Sequence, residues 1–103
     1  MSNQPQDAVT IDHEEAGSKG RYVARVAGMD AEAELTYSRM SSQLIIVDHT
    51  VVPDDLRGKG LGAALAAQVV ADARAQGFRI IPLCPFFKAQ AGRHPEWADV
   101  LQG

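Results

Sequence analysis

Val51-Val52-Pro53-Asp54-Asp55-Leu56-Arg57-Gly58-Lys59-Gly60-Leu61-Gly62 lies between two different periodicities, and its reading decides the fold. Before it, Leu44-Ile45-Ile46-Val47-Asp48-His49-Thr50-Val51-Val52 is nearly continuous and β-branched, which predicts a central strand buried on both faces. After it, Leu61, Leu65 and Val69 recur at i+4, with Ala66, Val70 and Ala73 widening the stripe. That spacing predicts a helix from Leu61 to Gln76, with Gly77 as its C-terminal cap. Pro53 ends the strand and Asp54-Asp55 open a polar loop. Gly58, Gly60 and Gly62 then stand at alternate positions ahead of the first helical turn. Without Cβ atoms they let backbone N–H groups converge on an anion. The helix adds unpaired N–H groups and the positive end of its dipole. Arg57 and Lys59 add full charges, so the segment offers what a pyrophosphate needs.

Other readings of the same glycines stay open at this point. Gly-x-Gly-x-Gly also suits a turn that merely reverses the chain. Gly58-x-Gly60-x-x-Ala63 formally fits a dinucleotide fingerprint. That fingerprint belongs to a βαβ unit with an acidic residue about 20 residues on, whereas here the next strand ends in Leu83-Cys84 and the preceding strands alternate as antiparallel ones. A Walker-type loop fails for want of Gly-Lys-Ser/Thr.

Outward on the N-terminal side, three runs alternate as half-buried strands. Val9, Ile11 and His13 share one face; Tyr22, Ala24 and Val26 alternate with Arg21, Val23 and Arg25; Ala31, Ala33, Leu35 and Tyr37 oppose Glu32, Glu34 and Thr36. Turns are expected at Gly17-Ser18-Lys19-Gly20 and Gly28-Met29-Asp30. On the C-terminal side, Phe78 to Leu83 reads as a short strand parallel to the fourth, because a helix joins them. A short helix through Phe86, Phe87 and Ala91 follows, then a last turn from Pro95 that docks Trp97, Val100 and Leu101. The expected architecture is an α/β domain with a mixed sheet, in the order β-β-β-β-α-β-α.

The 103 residues suffice for one domain and not two. Met1 to Gln6 reads as a disordered polar tail, which leaves 7–103 as the single domain. A net charge of −3 argues against a general nucleic-acid binder. Residues 1–52 carry four Lys/Arg against eight Asp/Glu, and residues 53–103 six against five. An anionic ligand therefore suits the second half and a cationic one the first. The single cysteine, Cys84, excludes an internal disulfide; with no signal peptide it suggests a reducing, cytoplasmic setting. No apolar run approaches the ~20 residues of a membrane span. One Cys and the scattered His13, His49 and His94 lack ligand-pair spacing, so no metal is expected.

Several separated motifs together resemble the GNAT superfamily of N-acetyltransferases. Arg57-Gly58-Lys59-Gly60-Leu61-Gly62 is similar to that family's Gln/Arg-x-x-Gly-x-Gly/Ala phosphate loop, and Val51-Val52-Pro53 to its approach. His49-Thr50-Val51-Val52, Gly60-Leu61-Gly62, Cys84-Pro85-Phe86 and His94-Pro95-Glu96-Trp97 look like the short Yjdj-type branch, and the likeness runs from Val9 to Leu101. The resemblance implies a minimal GNAT-like acyl-CoA N-acyltransferase fold. It also implies a transferase that moves an acetyl group from acetyl-CoA to a small amine or an exposed protein amine. Acyl-CoA would lie at a splay between the fourth and fifth strands. Its pantetheine would bond to backbone around Val51 and Val52, and amides of Gly58 to Gly62 would hold its pyrophosphate.

Two features depart from the larger enzymes. The strands and helical segment that shape an acceptor pocket are missing, and so is the tyrosine that follows the fifth strand and protonates the leaving thiolate. A non-catalytic acyl-CoA binding or sensing module is the rival reading. The candidate catalytic residues are Cys84, after the fifth strand where the CoA thiol should emerge, and His49, on the fourth strand. Each also has a bland reading, as a small buried apolar residue and as a hydrogen-bonded structural histidine. For Cys84 two mechanisms are open, an acetyl-cysteine intermediate or direct attack by the amine, with direct attack the superfamily's general pattern.

Overall fold

A computed structural model describes residues 8–102; the tail expected over 1–6 lies outside the described residues. Five strands form one sheet in chain order: β1 (Val9–Ala16), β2 (Lys19–Val26), β3 (Glu32–Ser41), β4 (Leu44–Val51) and β5 (Arg79–Pro82). The first three pairings are antiparallel and the last is parallel, as a helical crossover requires. Helix α1 (Leu61–Gln76) is that crossover. Helix α2 (Pro85–Gly92) follows β5, and a final 3-10 segment covers Pro95–Val100. Gly77, at φ 81°, ends α1 in the left-handed conformation that a Cβ would resist, and its N–H donates to the Ala73 carbonyl. Among the described residues no helix is long and apolar enough to cross a membrane.

Among the described residues one core cluster holds the domain. Tyr22, Ala24 and Val26 of β2, Ala33, Leu35 and Tyr37 of β3, and Ile45 and Val47 of β4 share it with Leu61, Leu65, Ala66, Val69, Val70 and Ala73 of α1. Phe87 of α2 and Trp97 of the last turn join the same cluster, their rings 6.1 Å apart. The chain end is tied in by the Ile80–Leu101 bridge and by the Gln102 N–H on the Ile80 carbonyl.

Both helices therefore lie on one face of the sheet, which corrects two sequence expectations. First, β4 is buried on one face only: Ile45 and Val47 are inaccessible, whereas His49 and Val51 are exposed. No described element covers the outer face, so a β-branched run here does not mean double burial. Second, the polar loop after Pro53 is a 3-10 turn, Asp54–Leu56, whose Leu56 is inaccessible and pinned in the core.

The outer face manages its exposure with charge. Arg21 bridges Glu14 and Glu34 at 3.0 and 2.8 Å, and Arg25 pairs with Asp12 and Glu32. Such half-exposed pairs are screened by solvent and each contributes little. Val23 sits among them in the register, opposite Asp12 and Glu34, at 0% exposure.

At the β1 edge, aromatic and polar groups interlock. The His13 ring stacks on Tyr22 with centroids 4.2 Å apart, and its Nε2 lies 2.5 Å from the Tyr37 hydroxyl. Tyr37 donates to Glu15 at 2.8 Å, and Arg39 Nε donates to the same carboxylate at 2.8 Å. The Arg39 hydrogen bond first, and then the Tyr37 hydroxyl, hold the Glu15 carboxyl below the ordinary 4.5. A depressed carboxyl contributes stability above its unfolded-state pKa and loses it as pH falls through the lower, folded value. Glu15→Gln should therefore melt below wild type near neutral pH. In thermal melts that gap should begin to narrow as the pH falls below 4.5 and close only beneath the lower, folded value.

Candidate active site

The site begins where β4 and β5 part. Their pairing runs from Leu44–Arg79 to Val47–Pro82 and stops. Pro82 has no N–H to continue the ladder, and Pro85 opens α2. The last link is the Cys84 N–H, which donates to the Val47 carbonyl at 2.9 Å. Beyond it, His49 to Val51 pair with β3 alone. A bulge marks the same place: Tyr37 opposes Val47 and Thr36 opposes His49, so Asp48 is the extra residue. The bulge resets the alternation, placing Thr50 on the core side and His49 and Val51 on the outer side.

The glycine segment closes the other side of this splay. The 3-10 turn sets its entry: Leu56 N–H donates to Pro53 O at 2.9 Å and Arg57 N–H to Asp54 O at 3.1 Å. Gly58 and Gly60 follow at φ 83° and 74°, a region costly for residues with a Cβ. Lys59 stands between them, half-buried. The first helical bond of α1 runs from Ala64 N–H to Gly60 O at 3.0 Å. Leu61, Gly62 and Ala63 thus start the helix without an intrahelical acceptor, and Gly60 offers no side-chain cap. Gly62 serves differently: a Cβ there would lie 2.6 Å from the Phe86 ring, so the missing side chain lets α2 close on α1.

Between these elements lies a cleft of about 470 Å³, lined by Thr50, Val52, Leu56, Arg57, Gly58, Gly60, Leu61, Gly62, Ala63, Phe86 and Gln90. A glycine backbone, a row of helix-start amides and an adjacent arginine fit a pyrophosphate, and the apolar walls Val52 and Phe86 fit an aliphatic arm. The Arg57 guanidinium is 72% exposed and paired with Asp54 Oδ1 at 3.0 Å. So exposed a pair is weak enough to exchange for a phosphate.

The two candidates for chemistry are not brought together. Cys84 is 2% exposed, within the core, with its Sγ 3.4 Å from Thr50 Oγ1. His49 is exposed on the opposite face of β4, across from Thr36. The tyrosines stand apart from the cleft. Tyr22 donates to Asp72 at 2.7 Å and Tyr37 to Glu15. Burial first, then the neighbouring carboxylate, raises both hydroxyl pKa values, that of Tyr37 to about 12. Among the described residues no group of three or more His, Cys, Asp and Glu is placed to hold a metal.

Sequence reasoning missed Thr50 and Leu56 as parts of the site. Thr50 was hidden because the bulge at Asp48 decides which way it points, and a strand pattern carries no mark of a bulge. Leu56 was legible as a lone apolar residue in a polar run, the usual sign of a loop anchored in the core.

Comparison with known proteins agrees with this geometry. A family model for GCN5-related N-acetyl-transferases matches residues 21–100. No relative among curated proteins matches the chain. Among solved structures, the chain is similar to a Staphylococcus aureus protein described as GCN5-like and assigned, without proof, as an N-acetyltransferase. The two are 32% identical, with a TM-score of 0.66, over 89% of this chain and 88% of the other. The sheet order, the β4–β5 splay and the glycine loop thus sit in a domain shared over nearly its whole length, and the chain belongs to the GCN5-related N-acetyltransferases.

Proposed function

We propose that this protein transfers an acetyl group from acetyl-CoA to a primary amine. The observation that carries the reading is the meeting of the glycine loop with the β4–β5 splay in one cleft. In this reading amides from Gly58 to Gly62 bind the pyrophosphate, with Arg57 and Lys59 adding charge. Backbone of Val51 and Val52, unpaired with β5, binds the pantetheine arm, and Phe86 walls it. Acetyl-CoA supplies the activated acyl group. The protein's own part is to fix that group at the splay and to manage protons there.

The acceptor approaches from the outer face. That face is uncovered and carries Asp12, Glu14, Glu32, Glu34 and Asp48 against Lys19, Arg21 and Arg25, an acidic balance that suits a cationic amine. His49 is placed on this side to take the proton that the amine sheds. Whether the acceptor is a small molecule or a protein amine is decided by turnover. Release of free CoA should rise and saturate with an amine acceptor. A protein that binds acetyl-CoA but shows no acceptor-dependent release, over a panel of small and peptide amines, is the binding module instead.

A further inference from the structure

We propose that Thr50 is the hydroxyl through which Cys84 supplies a proton to the departing sulfur of the thioester donor, so that the sole thiol acts as a proton source and not as a nucleophile. The inference rests on the cleft being the acyl-donor site. Thr50 lines the cleft, Cys84 does not, and the two side chains touch at 3.4 Å with either atom able to donate. Among the lining residues Thr50 alone carries a hydroxyl.

Cys84 is a poor nucleophile in this position. A nucleophile must come within about 3–3.5 Å of the acyl carbon. Cys84 is 2% exposed, is not among the residues that line the cleft, and touches one that is, Thr50. Its backbone is held at both ends, by its N–H on the Val47 carbonyl and by the Lys88 N–H on its own carbonyl. Bringing Sγ to the acyl carbon would take it out of the core cluster in which it is packed. A hydroxyl relay needs no movement.

The pairing of the two residues has a chemical reason. A hydroxyl acting alone would be left as an alkoxide, whereas with a thiol against it the oxygen is refilled and the charge stays on sulfur. As the amine nitrogen bonds to the acyl carbon, the carbon–sulfur bond breaks and its electron pair leaves on sulfur. Thr50 gives its proton to that sulfur and takes the Cys84 proton on the same oxygen. The proton shed by the amine passes by way of His49 to solvent, and one returns to Cys84 through Thr50 before the next turnover. Tyr22 and Tyr37 cannot stand in, since their hydroxyls are committed to Asp72 and Glu15.

Thr50→Val keeps the shape and removes the hydroxyl; Thr50→Ser keeps the hydroxyl. Thr50→Val should lower kcat roughly 100-fold with the acetyl-CoA KM within about twofold, and Thr50→Ser should stay within about threefold of wild type. Cys84→Ala should match Thr50→Val, and the double variant should be no slower than either, because the pair works as one unit. A second readout needs no turnover. With a single cysteine in the chain, the S–H stretching band in the infrared belongs to Cys84 alone. It should move to the free-thiol position in Thr50→Val and stay put in Thr50→Ser.

Full kcat in Thr50→Val, a loss confined to KM, an unmoved S–H band, or a hydroxylamine-labile acetyl adduct on Cys84 during turnover would each overturn the relay while leaving acetyl transfer intact. Wild-type protein without acceptor-dependent turnover would instead remove the functional reading, and the relay with it.

Discussion

Gly60→Val should lose coenzyme A affinity by more than about 100-fold, close to 2.7 kcal/mol or above, while the protein stays folded. Gly60 has φ 74° and caps α1, and a Cβ built there meets nothing within 4 Å. The penalty in the free protein is thus conformational and not a clash, of order 1–3 kcal/mol for a side chain forced toward the left-handed region. A domain stable by about 5–15 kcal/mol survives it below its melting temperature. Binding fares worse on two counts. The new side chain occupies open space beside the loop, and relief of φ turns the helix-start amides away from a common point. Arg57→Ala should weaken binding by only about 2–10-fold, since a guanidinium 72% exposed is largely screened. Calorimetric titration of both variants checks the ranking, and ordinary affinity in Gly60→Val would place the phosphates elsewhere.

Leu56→Ala should cost about 2–5 kcal/mol of stability. Leu56 is inaccessible in the core and also lines the cleft, so one side chain fixes the loop and seals the domain beneath it. In a domain of about 100 residues each kcal/mol moves the midpoint by roughly 4–8 °C. The expected drop in Tm is therefore at least about 8 °C. Saturating acetyl-CoA should recover part of it, because ligand binds the folded state alone. A change below about 2 °C would mean that the 3-10 turn is not anchored as described.

How much of this was legible in the sequence depends on which interactions decide each element. Helix α1 was plain from Leu61, Leu65 and Val69, because its pattern and its caps are local and agree. So were the β1–β3 meander and the parallel β5, whose direction follows from the joining helix. Burial of β4 was misread, since Leu44 to Val52 shows that a strand can be buried and not whether a layer covers its second face. The site divided in the same way. Gly58 and Gly60 were legible because their conformation has few substitutes. The splay was implied only by family resemblance. Its physical causes, the missing N–H of Pro82 and the bulge at Asp48, act through pairing across strands far apart in sequence. The same bulge turns Thr50 and not His49 toward the core, so the fold puts His49 and Cys84, both candidates in the sequence, on opposite faces.

The most direct test of the account is a titration of isotope-labelled protein with acetyl-CoA, followed by backbone amide NMR. The largest shifts are expected at Gly58, Gly60, Leu61, Gly62 and Ala63, with a second set at Thr50, Val51 and Val52. The β1 amides should hardly move, and NAD or ATP at equal concentration should not reproduce the pattern. Saturable shifts centred elsewhere, or none at millimolar acetyl-CoA, would contradict it.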